Sequence, residues 1–119
     1  MKITLCGSAK FEDLFHLWNQ KLTLSGHTVY SLAVFPSYKN GNKDWYNERE
    51  KTLLDLAHFS KIEESDAIVV LNYEGYYGES TIREIAWARM RDKSIYWLDT
   101  VGVALEDGNV QVLLTAENL

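Results

Sequence analysis

Ser65-Asp66-Ala67-Ile68-Val69-Val70-Leu71-Asn72 is the stretch that decides the fold. Ala67 to Leu71 is an unbroken apolar run, held between a polar pair and an amide, and it is too short to be a buried helix. A strand with one wet face alternates apolar and polar residues. A strand that is apolar throughout needs both faces covered, which is the condition inside a parallel sheet flanked by helices.

Working outward, the neighbours supply those helices. Upstream, Trp45 to Glu64 is rich in Glu, Lys, Arg and Leu and reads as a long helix. Downstream, a Gly/Tyr loop from Tyr73 to Glu79 leads into Ser80-Thr81-Ile82-Arg83-Glu84-Ile85-Ala86-Trp87-Ala88, an amphipathic helix that Lys93-Ser94 ends. Ile95 to Leu98 is the next strand. Near the N-terminus, Lys2 to Cys6 reads as a strand that stops at Gly7-Ser8. Phe11, Leu14, Phe15, Trp18 and Leu22 then fall on one helical face, closed by Ser25-Gly26. His27 to Phe35 is β-branched and aromatic and reads as the second strand. Pro36 to Asp44 is loop, and after a turn at Gly108-Asn109 the segment Val110 to Leu114 reads as a fifth strand or an edge segment. The alternation describes one α/β domain over residues 1–119, with a four- to five-stranded, mainly parallel sheet.

Composition narrows the partners. Hydrophobic residues at 46% and charged residues at 24% are ordinary for a soluble globular protein. A net charge of -5 argues against a nucleic-acid duplex or an anionic membrane as partner, since both reward basic patches. It leaves room for a small anionic ligand bound by backbone N–H groups. Cys6 is the only cysteine, so no intrachain disulfide and no cysteine-based metal site is suggested. His16 and His27 show no ligand spacing with a carboxylate, so neither a metal nor a cofactor is expected. The absence of a signal pattern and of a bilayer-length apolar run makes a cytoplasmic setting the expectation.

In sheets of this kind ligands bind beyond the carboxyl ends of the strands, where strand order reverses. That rim gathers Gly7-Ser8, the loop after Phe35 and the loop after Asn72. Gly7 permits close backbone approach and Ser8 can donate to a phosphate or sugar oxygen, or the pair is a plain turn. Gly75, Gly78, Ser80 and Thr81 stand before a helix, where unpaired N–H groups and the dipole favour an anion, or they form a capped, solvated turn. Thr81-Ile82-Arg83-Glu84 has the capping-box pattern, so Glu84 is either a cap or a carboxylate aimed at a substrate. Such a carboxylate can attack an anomeric carbon or stabilise an oxocarbenium-like sugar. His58 shares a helix face with Asp55, Lys61 and Ile62. Tyr38, Trp45 and Tyr46 can stack on a base or pack beside the sheet.

Cys6-Gly7-Ser8, the run from Lys61 to Asn72, and Gly75-Tyr76-Tyr77-Gly78-Glu79-Ser80-Thr81 leading to Glu84-Ile85-Ala86-Trp87-Ala88 together resemble the nucleoside 2-deoxyribosyltransferase superfamily, with its deoxynucleoside 5'-monophosphate N-glycosidases. The likeness spans roughly residues 2 to 99. It implies a flavodoxin-like, Rossmann-like three-layer sandwich, a homodimer or larger assembly with substrate near a subunit interface, and cleavage or transfer at the N-glycosidic bond of a (deoxy)nucleoside or its monophosphate. It puts the nucleophile on Glu84 and substrate contacts on Cys6, Gly7, Ser8, Asn72, Gly75, Gly78, Ser80 and Thr81. An acidic substrate contact of the family falls on His58, which would orient the sugar or protonate the leaving base. Asp55 lies one turn earlier, Ala86 replaces a glycine, and an aspartate expected before the glutamate is missing near Gly78-Glu79. Thr81-x-x-Glu84 is also similar to the loop of the cytokinin-activating phosphoribohydrolase-like group. The competing readings are a non-catalytic nucleotide sensor of the same fold, and an interaction protein using Trp45, Tyr46, Tyr76 and Tyr77.

Overall fold

The computed structural model describes residues 1–35, 46–72, 77–99 and 114–116. Its elements are β1 (Lys2–Cys6), a 3-10 turn (Ala9–Phe11), α1 (Glu12–Leu24), β2 (Thr28–Tyr30), α2 (Glu48–Glu64), β3 (Ala67–Asn72), α3 (Glu79–Met90), β4 (Ser94–Asp99) and β5 (Leu114–Ala116). The sheet order is β2-β1-β3-β4-β5. The first four strands are parallel, and β5 pairs antiparallel with β4. This is a three-layer α/β fold with the flavodoxin-like strand order, whose reversal falls between β1 and β3.

The apolar run in β3 is explained by what lies on each side of it. Val69 and Leu71 pack with Ile3, Leu5 and the α1 residues Phe15, Trp18 and Leu22. Ile68 and Val70 point the other way, onto Ile62 of α2 and Ile85 and Ala88 of α3. All five residues from Ala67 to Leu71 are fully buried. Burying each Val, Leu or Ile side chain contributes about 1.5–3 kcal/mol, so this strand carries a large share of the driving force. Asp66 sets its register: its N–H donates to the Lys2 carbonyl and its carboxylate accepts from the Lys2 N–H, each at 2.8 Å.

Several boundaries differ from the sequence reading, most by a single residue: the second strand starts at Thr28, α3 takes in Glu79, and β4 gains Ser94 and Asp99. The second strand ends at Tyr30 rather than Phe35. Among the described residues it pairs only with β1, and the ladder stops at Thr4–Tyr30. Phe35 instead stacks edge-on against Phe15, at 5.3 Å between ring centres. The helix expected from Trp45 begins at Glu48, because Asn47 and Glu50 form a reciprocal capping box with bonds of 2.8 and 3.1 Å. Phe11 belongs to the 3-10 turn that Ser8 caps, so the first helix starts one residue later. The fifth strand lies at Leu114–Ala116, and the rest of the expected Val110–Leu114 segment and the Gly108-Asn109 turn lie outside the described residues. Among the described residues no helix is long and apolar enough to cross a membrane.

Replacing Asn47 with alanine removes both halves of the α2 cap. The expected result is a loss of about 1 kcal/mol, read as a melting temperature a few degrees lower in a thermal scan. An unchanged midpoint would mean that α2 is held by packing alone.

Candidate functional site

The strand-order reversal opens a cavity of ≈ 750 Å³ above the ends of β1 and β3, a size suited to a small organic ligand. Three elements contribute its chemistry. The turn after β1 brings Gly7 and Ser8, the inner face of α2 brings Lys51, Asp55 and His58, and the start of α3 brings Gly78, Ser80, Thr81 and Glu84. Gly7 has φ 156°, and a Cβ there would sit 3.2 Å from both the Leu71 Cβ and its carbonyl oxygen. That approach brings the β1 turn against the end of β3, so a side chain there would be tight against Leu71 and strained by the positive φ.

Helix α3 settles what Glu84 does locally. The helix begins at Glu79, with Gly78 as its N-cap at φ 86° and no side-chain cap. Thr81 is therefore inside the first turn, and Glu84 lies well beyond the position a capping box requires. Thr81, Glu84, Ile85 and Ala88 are the buried residues of the helix, on one three- and four-residue stripe. Two polar side chains thus occupy core positions, with Glu84 only 7% exposed. Neither Thr81 Oγ1 nor Glu84 Oε1 has a hydrogen-bond partner among the described residues. The first-turn N–H groups of α3, unsatisfied by any side-chain cap, lie beside the same cavity.

His58 faces Glu84 across that space, 4% exposed, with Nε2 3.7 Å from Glu84 Oε1. Beneath them Cys6 is fully buried, its Sγ 3.6 Å from the same Nε2. Burial is the main cause acting on all three. It lowers His58 to about 4, with the Lys61 charge adding to the fall while Asp55 and the Leu5 backbone oppose it. It raises Glu84 to about 8, with Asp55 adding and Cys6, Arg83 and Lys51 opposing. It pushes the Cys6 thiol up, helped by Glu84. The His58–Glu84 approach has the spacing of an ion pair, yet desolvation leaves both groups neutral at pH 7. The site's fixed charges lie further out: Lys51 on Asp55 at 3.0 Å, and Lys61, whose ammonium donates to the Ser31 carbonyl at 2.8 Å.

Of the residues singled out from sequence, Gly7, Ser8, His58, Gly78, Ser80, Thr81 and Glu84 line this one cavity. Cys6 lies under it, and Asn72 ends β3 without lining it. Gly75, Tyr76, Tyr38 and Trp45 fall outside the described residues. Tyr46 and Tyr77 do line the cavity, and the Tyr77 ring packs on Trp97 at 5.1 Å between centres. Lys51 and Leu54 were missed, as was the convergence of Cys6 with His58 and Glu84. The signal for Lys51 was present: Lys51, Asp55, His58 and Ile62 repeat at helical spacing, a mainly polar stripe ending in a core residue. The cysteine carried no such signal, because its partners come from two other elements.

No protein-family model matches the sequence, and no curated protein does. Among solved structures, the fold is shared with a 2-deoxyribosyltransferase from the psychrotolerant bacterium Bacillus psychrosaccharolyticus. That match has a TM-score of 0.64 and 21% identity, over 87% of this chain and 75% of the other. A second is the Clostridium botulinum CMP N-glycosidase BcmB, with a TM-score of 0.54 and 19% identity, over 95% and 82% of the two chains.

The two shifts fix a pH signature for stability. His58, lowered from 6.5 to about 4, makes stability rise with pH across that window, because the unfolded chain holds the extra proton there. Glu84, raised from 4.5 to about 8, makes stability fall as pH rises across its window, because the native state holds the extra proton. The effects oppose one another until His58 is finished near 6.5. Above that Glu84 acts alone, at up to ~1.4 kcal/mol per pH unit. Denaturant unfolding in chelator-treated buffer should therefore show stability falling from pH 6.5 to 8, with Glu84→Gln flattening that decline. A decline of equal slope in the variant would assign it elsewhere.

Proposed function

We propose that the protein cleaves or transfers at the N-glycosidic bond of a nucleoside or nucleoside 5'-monophosphate, with Glu84 as nucleophile. The observation that carries this reading is the Glu84 carboxyl itself. It is buried, its Oε1 has no hydrogen-bond partner among the described residues, and it sits at the strand-order reversal, opening onto a cavity large enough for a nucleotide. A carboxyl held there at the cost of desolvation fits a chemical role better than a structural one. The shared fold with a 2-deoxyribosyltransferase and a CMP N-glycosidase supports the same class of reaction.

The pair Glu84–His58 enters the reaction with one proton on the carboxyl and a neutral imidazole facing it, which in its Nδ1–H tautomer presents a bare Nε2. A bound substrate that draws the proton from Glu84 to His58 Nε2 creates the nucleophile and the acid together. The carboxylate then forms a bond to C1', the C1'–N bond breaks with its electron pair going to the base, and the imidazolium returns the proton to that base. Water or a second base, giving its proton to His58, then attacks C1' of the glycosyl ester, and the C1'–O bond breaks with its electron pair returning to Glu84. The uncapped first turn of α3, with Ser80 and Ser8 beside it, offers donors to a 5'-phosphate against the chain's net negative charge. Tyr46 and Tyr77 supply apolar walls on which a base can lie.

A sensor of the same fold is the alternative, favoured by one fact: at neutral pH the carboxyl is protonated and cannot attack until the proton moves. Free-base release from a panel of deoxynucleosides, ribonucleosides and their 5'-monophosphates, followed by chromatography, separates the two. Wild-type protein should release base, and Glu84→Gln should lower the rate by about a thousandfold or more. His58→Ala should lower it by ~10²–10⁴. A nucleotide that raises the melting temperature but is recovered intact would establish the sensor. Wild-type rates in Glu84→Gln would remove the nucleophile assignment.

A further inference from the structure

The Cys6 thiol, the His58 imidazole and the Glu84 carboxyl come from β1, α2 and α3, and their ligating atoms all lie within 4.8 Å of one another. Their arrangement is not that of a proton relay. In a relay the histidine would bond the thiol through one ring nitrogen and the carboxylate through the other. Here one nitrogen, Nε2, faces both partners, 3.6 Å from Cys6 Sγ and 3.7 Å from Glu84 Oε1. The 3.6 Å contact is a weak thiol hydrogen bond and the 3.7 Å separation is too long for one, and Glu84 Oε1 has no partner among the described residues although the residue is more than nine-tenths buried. The single thiol proton can serve only one neighbour at a time, so three donor atoms converge on a common point incompletely paired.

We propose that Cys6, His58 and Glu84 form a binding site for one thiophilic divalent cation, zinc by the chemistry of its ligands. Zinc takes thiolate sulfur at about 2.3 Å and imidazole nitrogen at about 2.0–2.1 Å, so tetrahedral angles place the two ligand atoms roughly 3.5 Å apart. A carboxylate oxygen at about 2.0–2.2 Å stands roughly 3.4 Å from the nitrogen. The observed edges of 3.6 and 3.7 Å are within a few tenths of an ångström of that frame. A thiolate, a carboxylate and a neutral imidazole also balance the +2 charge, so the filled site is neutral overall, as a buried site requires. Three protein ligands leave a fourth position, and His58 and Glu84 reach it from the cavity. Sequence spacing does not reveal such a site, since the ligands lie 52 and 26 residues apart, from Cys6 to His58 and from His58 to Glu84.

This proposal extends beyond glycosidic cleavage and makes a separate demand on the same carboxyl. A Glu84 oxygen bound to metal cannot attack C1', so zinc occupancy and turnover exclude each other, and the cation acts as a reversible brake.

The test uses chelator-stripped protein titrated with Co2+ as a spectroscopic stand-in. A thiolate-to-cobalt charge-transfer band should appear in the near ultraviolet, saturate at one equivalent and vanish on adding Zn2+. Cys6→Ser should abolish the band, and His58→Ala and Glu84→Ala, which keep the thiol, should weaken Co2+ binding by ~tenfold or more. Circular dichroism confirms that each variant is folded. No saturable band in the wild type overturns the site, as does a band of undiminished affinity in both His58→Ala and Glu84→Ala. Base release assayed in chelator keeps the two proposals apart. Activity there without a cobalt band overturns only the metal site, and a band without release of any base supports the site while overturning only the glycosidic reading. Zn2+ should suppress base release and chelator should restore it.

Discussion

Parallel pairing of β3 with β1 on one side and β4 on the other, buried on both faces, is the constraint on which everything else depends. Parallel neighbours cannot be joined by a tight turn, so the chain must cross over the sheet between them, and helices do the crossing. Helix α1 covers one face while α2 and α3 cover the other. The order 2-1-3-4-5 then forces consecutive crossovers to diverge after β1 and β3. The gap that this leaves is the cavity, and the first turn of α3 and the inner stripe of α2 meet there because the topology allows them nowhere else.

The electrostatics of the site follow from the same packing. His58 and Glu84 occupy positions on their helices that would ordinarily hold apolar residues, one turn from Ile62 in α2 and beside Ile85 in α3. Taking two ionisable groups from water costs more than their mutual attraction returns at 3.7 Å without a hydrogen bond. Each responds by giving up its charge, the imidazole toward about 4 and the carboxyl toward about 8. An apolar pair of the same volume would suit the core better. Keeping the polar pair makes sense if a ligand, by bringing its own charge or excluding water, sets which of the two holds the proton.

The fold was legible in the sequence because it rests on patterns local to each element. The unbroken β3 run, the Phe15-Trp18-Leu22 stripe and the Gly7 and Gly26 stops each announce one element. The end of the second strand was not legible, since whether Tyr30 to Phe35 stays extended depends on a neighbour that the ladder does not supply beyond Thr4. The site was half legible. Glu84 was singled out, but Thr81-x-x-Glu84 matches a capping box letter for letter, and only the start of α3 at Glu79, with Gly78 as its N-cap, shows that the pair lies inside the helix. Asp55, one turn before His58, lines the cavity. The approach of Cys6 to His58 and Glu84 was illegible, because it is a property of three elements in space.

The central claim is that Glu84 is a desolvated, cavity-facing carboxyl and not a helix cap. It is tested most directly by the titration of that one side chain, followed by carbon-13 NMR of protein labelled at its glutamate carboxyls and assigned with Glu84→Gln. A midpoint near 8 is the expected result. A midpoint in the ordinary range near 4.5 would mean that the carboxyl is solvated or bonded to backbone N–H groups, and it would contradict the account.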